Sequence, residues 1–295
     1  MSPEESRRIR RLFWNVFFVD KSLVLSLGRA PAIQDFDVDV EFMEPSEDPG
    51  KRPWDAALFL FIQLAKIQAH AYETLYSPAS DKRSARDRQV IVDTLAKRMA
   101  KWHESWSQLD GSQAHRKEML DNTLGGLVDV VYYSTLTLVY RALSPPKTTD
   151  AIVEPCVESA RSSLQAHISL HARYAELGPE PLAYYSVWVH IFSSFTPFLV
   201  TFHHCITELD LDDLKLLKAS LDVLEQTKGL VSSCQRVFDY CSRLYDIAET
   251  ACTASPPGDS SAFRVDDQEL LFPFVQALEE PWVVTEPDYH HVSLY

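Results

Sequence analysis

The sequence predicts an all-α protein, a multi-helix irregular bundle with an acidic, partly extended C-terminal tail. Three observations predict it. Apolar residues recur every three to four positions through most of the chain. Only 8 glycines occur in 295 residues, too few for the many reversals a sheet protein needs. The segments between breaks are rich in Leu, Ala, Glu and Lys, which are strong helix formers. A hydrophobic fraction of 46% supplies enough apolar surface for a sizeable core.

Ser2-Pro3-Glu4-Glu5 opens the first helix: the serine hydroxyl accepts from an amide three residues on, Pro3 suits the first turn, and Glu5 closes a capping box. Ile9, Phe13, Val16, Leu23 and Leu27 then recur at helical spacing, which predicts that this stripe is buried. Gly28 is placed to end the helix in a left-handed conformation, and Ala30-Pro31 begins an acid-rich loop. After the Pro/Gly-rich break at 45–53, Asp55 caps a helix to about Tyr76, and Asp81 or a neighbour starts another through Trp106.

Asp110-Gly111 marks a turn, and a long helix follows from about His115 to Leu143, stopped by Pro145-Pro146. Thr149 or Asp150 starts the next, with Pro155 in its first turn and Gly178-Pro179 at its end. The stretch 181–208 reads as helical with a kink at Pro197. Asp210 caps a closing pair that divides near Gly229 and ends about Cys252. The division is therefore a helical body over 1–253 and an acidic-aromatic tail over 254–295. That tail interleaves acids such as Asp266, Asp267 and Glu269 with Phe272, Phe274 and Trp282. It reads equally as an interaction segment that orders on a partner and as a strap packed on the body.

A formal net charge of −14 excludes a dominant phosphate-binding surface and disfavours an anionic membrane as partner. The most apolar stretch, 187–205, carries His190, Pro197, His203 and His204, and reads as a core helix. The five cysteines are odd in number and form no Cys-x-x-Cys pair, so neither a disulfide framework nor a zinc-finger spacing is present.

No constellation fit for bond-making emerges, and neither a catalytic residue, a metal ligand set nor a cofactor is expected. Asp35, Asp37 and Asp39 share a face if the segment is extended and offer oxygens to a divalent cation, but lack the glycine and late glutamate of an EF-hand. Asp210, Asp212 and Asp213 lack the later aspartate and the second motif of a magnesium–diphosphate site, so a helix cap is expected. His203-His204-Cys205 are adjacent, hence about 100° apart on a helix. His167 and His171 have chelating spacing but no neighbouring glutamate base. Arg7, Arg8, Arg10 and Arg11 spread round their helix and read as a solvated face with some arginines paired to acids. Asp20 lies in register with the apolar stripe, and Arg29 or Arg141 is its expected partner in a structural ion pair. Tyr132, Tyr133, Tyr140, Tyr185, Trp188 and Phe192 are candidates to line an effector cavity, with plain core as the alternative.

The run Arg7-Arg8-Ile9-Arg10-Arg11-Leu12-Phe13-Trp14, then Asp20-Lys21, Gly28-Arg29-Ala30-Pro31 and Asp35-Phe36-Asp37-Val38-Asp39, resembles the fungal-specific transcription factor domain. That domain is the middle homology region of the binuclear zinc-cluster regulators. Tyr140-Arg141-Ala142-Leu143 and Cys156-Val157-Glu158-Ser159-Ala160-Arg161 are similar to later segments of it, and the Leu/Ala/Val pattern over 214–251 to its closing helices. The resemblance spans roughly 1–253. It departs at Ala30, where proline is commoner, and at Val40-Glu41-Phe42.

The six-cysteine zinc cluster, basic linker and upstream helices usual in the family do not appear in the sequence. A truncated regulator and a stand-alone relic both fit, and truncation would leave Ile9, Phe13 and Val16 as an exposed patch. The resemblance implies a nuclear transcription-regulatory domain that senses an effector or contacts regulatory proteins. DNA would be reached only through a missing zinc cluster or a partner. The alternative is a repurposed helical enzyme with an interhelical cavity, such as an isoprenoid cyclase. Convergence of acids and a cation on one deep cavity would favour it.

Overall fold

Capping chemistry sets the first helix. A computed structural model describes residues 2–144, 152–192, 195–229 and 232–254. In it α1 (Pro3–Leu27) carries the full capping box between Ser2 and Glu5, and ends at Gly28 in the left-handed region, φ 63°. The remaining helices are α2 (Arg52–Ala71), α3 (Ala85–Ser107), α4 (Gly125–Arg141), α5 (Glu154–Leu177), α6 (Pro179–Phe192), α7 (Thr196–Glu208), α8 (Leu211–Thr227) and α9 (Ser232–Ala254). Among the described residues the secondary structure is helical throughout, and no described helix is long and apolar enough to cross a membrane.

Several boundaries differ from the sequence expectation for identifiable reasons. Asp55 does not cap α2; it lies one turn inside and serves as a buried acceptor. Ser84, rather than Asp81, caps α3, because its hydroxyl reaches the Asp87 amide. The long helix expected from His115 forms a π turn over Met119–Leu124 before α4 proper. Pro197 does not kink one helix but sits in the first turn of a new one, where its missing N–H costs nothing. Asp210 does cap α8, accepting from the amides of Asp212 and Asp213. The expected cap at Thr149 or Asp150, the stop at Pro145-Pro146 and the tail beyond Ala254 lie outside the described residues.

Two clusters make up most of the core among the described residues. The largest packs the end of α1 against α2, α3 and α4 through Val24, Leu64, Leu95, Met99, Trp102 and Val131. Trp102 also donates its indole N–H to the Leu60 carbonyl at 2.7 Å, so a buried polar atom is satisfied while the ring packs. A second joins α5, α7, α8 and α9 through Leu164, Phe202, Leu217 and Leu244. Between them, α4 and α5 form the most extensive helix pair. Gly126 lets Leu170 approach there, since a Cβ at that position would lie 2.5 Å from the Leu170 Cδ1.

The buried side of α1 is a correction. The interior line is Trp14, Phe17, Lys21, Val24 and Leu25, while Ile9 and Val16 of the expected stripe are 51% and 52% exposed. Leu12, between them, is 65% exposed, and Phe13 is half-buried against Trp14 and Phe17. Both faces of this helix are apolar, so periodicity alone does not choose between them. The face carrying two aromatic rings beside Arg7 and Arg11 buries more area and gains ion pairs. Leu12→Lys is accordingly expected to shift Tm by no more than about 2 °C, as surface substitutions stay within about 0.5 kcal/mol. A large loss in thermal denaturation would return Leu12 to the interior.

Candidate functional site

The residues of the opening signature converge on one knot between α1, the loop that follows it and α2. Asp55, whose side chain is 5% exposed, accepts from Arg7 (2.7 Å), Arg11 (2.8 Å) and the Ser46 amide (2.9 Å). Arg7 also donates to the Glu44 carbonyl, and Trp14 donates its indole N–H to the Glu41 carbonyl at 3.2 Å. The carboxylate of Asp20 accepts the amides of Ala32 and Ile33, both at 3.0 Å. Lys21, 1% exposed, reaches Asp35 at 2.6 Å. Because Asp35 and Asp37 sit in a 3₁₀ turn rather than an extended strand, they do not present the shared face expected of alternating aspartates. Arg7, Arg11 and the Asp-Lys pair thus spend their charge on shaping the passage from α1 to α2. Arg8 stays exposed, and Arg10 makes a loose contact to Glu41 at 3.5 Å.

A second charged centre ties α5, α7 and α8 together. Arg161 gives its Nε to Asp213 Oδ1 at 2.6 Å and its Nη2 to Asp213 Oδ2 at 3.0 Å, a two-point grip on a carboxylate whose side chain is 2% exposed. Nη2 also reaches Asp210 at 2.9 Å, and His204 Nδ1 lies 2.7 Å from Asp213 Oδ2. The ligand atoms of His204, Asp210 and Asp213 fall within 4.8 Å of one another, a spacing a metal ion would accept. The guanidinium, however, already engages both oxygens of Asp213 and one of Asp210. Burial raises the Asp210 carboxyl, but the amides of Asp213 and Asp212, with Arg161 and His204, outweigh it and hold the group below its ordinary 3.8. The centre is a saturated clasp on the N-terminus of α8. Of the adjacent His203, His204 and Cys205, His204 joins this clasp and Cys205 turns toward α9, as their angular separation requires.

The described aromatic candidates, Tyr132, Tyr133, Tyr140 and Tyr185, fall in two places. Tyr132, Tyr133 and Tyr140 are half-buried on α4. Tyr132 stacks on His103 at 4.2 Å and meets Tyr133 edge-on at 4.9 Å. Tyr185 is enclosed in a separate cluster, stacked on Tyr174 at 4.4 Å, and donates to the His167 carbonyl at 3.3 Å. The side chains of Trp188 and Phe192 lie outside the described residues. Arg141 holds the Ser144 carbonyl at the end of α4. His171, spaced from His167 for chelation, is buried with its Nε2 unpartnered, and burial pushes its pKa down. Sequence reasoning missed Arg161. Its signal was a single cation among small residues, Ser159-Ala160-Arg161-Ser162-Ser163, on a helix face shared with Val157 and Leu164.

Comparison with known proteins gives a consistent picture. Residues 1–104 match the family model described as the fungal specific transcription factor domain. The sequence is 22% identical over 282 residues to an uncharacterized transcriptional regulatory protein of Schizosaccharomyces pombe, covering 86% of this chain and 42% of that protein. An ABC-transporter-regulating transcription factor of Aspergillus fumigatus is 29% identical over 154 residues, 48% of this chain and 17% of that protein. The cutinase transcription factor 1 alpha of Fusarium vanettenii is 25% identical over 173 residues, 55% of this chain and 18% of that protein. The chain therefore spans less than half the length of each of these relatives. No solved structure matches it.

Proposed function

We propose, for a chain whose residues 1–104 match the family model of the fungal specific transcription factor domain, a nuclear transcription-regulatory body of the zinc-cluster regulator type. It acts through contacts with regulatory proteins and leaves DNA to a separate zinc cluster or a partner. The observation that carries this reading is where the charge goes. Arg7, Arg11, Asp20, Lys21 and Asp35 of the matched segment are engaged in the α1 knot, and the converging group on α5, α7 and α8 is saturated by Arg161. Neither centre has a carboxylate free to activate a substrate, which favours regulation over catalysis. The net charge of −14 also suits protein contacts better than phosphate contacts.

Within this reading, Tyr132, Tyr133 and Tyr140 are the rings a planar small-molecule effector would meet, since they are half-buried on one helix. An effector would reach Tyr185 only by displacing its stacked partner Tyr174. Ligand binding that repacks α4 would shift the body between two packings and change access to the acidic segment 254–295.

The test is to fuse the chain to a heterologous DNA-binding domain and read a reporter in a fungal nucleus. A several-fold change relative to the DNA-binding domain alone is expected, and removal of 254–295 is expected to reduce it. An unchanged reporter, with the fusion present and nuclear by immunoblot and microscopy, would sink the reading.

A further inference from the structure

The last turns of α7 and α9 bring together two thiols that belong to neither charged centre. Cys205 Sγ and Cys252 Sγ stand 3.6 Å apart, although 47 residues separate them in sequence. Cys205 is fully buried and also donates to the Asp210 carbonyl at 3.4 Å, while Cys252 is partly exposed and donates to the Cys205 carbonyl at 3.8 Å. The acceptors around both sulfurs are carbonyl oxygens, which favour the thiol over the thiolate, and both cysteines are free of a disulfide. Cys156, Cys234 and Cys241 are buried, and Cys156 points to the Thr137 carbonyl on another part of the bundle.

We propose that Cys205 and Cys252 form a peroxide-responsive modification site that closes into an intramolecular disulfide. The partly exposed sulfur reacts first: the Cys252 thiol and a hydroperoxide give the sulfenic acid and, from hydrogen peroxide, one water. The Cys205 thiol then attacks that sulfur. The S–O bond breaks, the S–S bond forms, and the hydroxyl leaves as a second water with the Cys205 proton. Two thiols are oxidised and one peroxide is reduced. Burial pushes the Cys205 thiol up, which disfavours its thiolate, so the second step relies on a target already in contact at 3.6 Å and on the departing hydroxyl to take the proton. Closing from 3.6 Å to a sulfur–sulfur bond of about 2 Å requires a shift of about 1.5 Å, within reach of side-chain rotation in the last turn of a helix. The bond would fasten the end of α9, from which the chain runs on into its acidic segment, to α7 beside the Asp210 cap.

The experiment treats the reduced full chain with a few equivalents of hydrogen peroxide and then alkylates it in denaturant. Two of the five thiols are expected to resist alkylation, the intact mass to fall by two hydrogens, and a tryptic peptide to link Cys205 with Cys252. Dithiothreitol should reverse all three changes. The bridged chain should melt roughly 3 to 10 °C higher, since the bond restricts the unfolded chain. Cys252→Ser should keep every remaining thiol alkylatable after the same treatment. A linked peptide from any other pair would overturn the proposal. So would oxidation of Cys252 beyond the sulfenic acid without a link, or a bridged chain that melts lower than the reduced one.

Discussion

Arg161→Met is expected to lower folding stability by about 3 to 5 kcal/mol, the usual cost of stranding a buried charge, and Tm by roughly 10 °C. Methionine keeps most of the aliphatic stem, so lost packing is not the main effect. The substitution removes two hydrogen bonds from Asp213, at 2.6 and 3.0 Å, and leaves that buried carboxylate beside the His204 ring. Asp210 loses its contact at 2.9 Å but keeps the amides it caps. A double-mutant cycle with Asp213→Asn separates these terms. If the pair is coupled, the double variant is less destabilised than the two singles together by about 2 kcal/mol. Additive losses in urea denaturation would mean that Arg161 supports the fold by packing alone.

The same variant changes the response to acid, and the sign follows from Asp210. Its carboxyl is held below the unfolded value of 3.8, so the folded state binds fewer protons than the unfolded state in that window. The stabilisation is complete above 3.8 and is lost as pH falls through the lower, folded value. Without the guanidinium part of the lowering disappears, and the acid transition of Arg161→Met should begin at higher pH than that of the parent.

Features set by a few neighbouring residues were legible in the sequence. The capping box at Ser2, the left-handed Gly28 and the Asp210 cap each depend on contacts three or four residues away, and each is where the pattern put it. Features that depend on what arrives from elsewhere were not. Ile9 and Val16 share a helical face as cleanly as Trp14 and Phe17 do, and only the approach of α2 with Asp55 decides between the faces. Arg161 meets partners 43 to 52 residues downstream, on helices α7 and α8, so no local pattern announces it. The described aromatic candidates are split between two helices for a related reason. Tyr132 and Tyr133 are adjacent on one helix and Tyr185 lies on another, and composition does not say which helix faces meet.

Asp55→Asn tests whether the signature residues act as one unit. Asparagine keeps the shape but offers one acceptor oxygen in place of two, and its amide must face an arginine or the Ser46 N–H, donor against donor. Arg7 and Arg11 are 33% and 43% exposed, so water recovers part of what they lose. The expected cost is accordingly about 2 to 3 kcal/mol, less than for a fully enclosed pair. The loss should also be local. Asp55 fixes α1 to α2 and holds the segment around Ser46, whereas α7, α8 and α9 close on a separate cluster with their own clasp. Amide hydrogen exchange should therefore show protection falling in α1 and around residues 41–47 while α7 to α9 keep theirs. Arg8→Ala, at an exposed position of the same helix, should leave both regions unchanged. If Asp55→Asn loosened every helix equally, the α1 knot would be part of a single cooperative core. The family signature would then mark general stability instead of a separately shaped element.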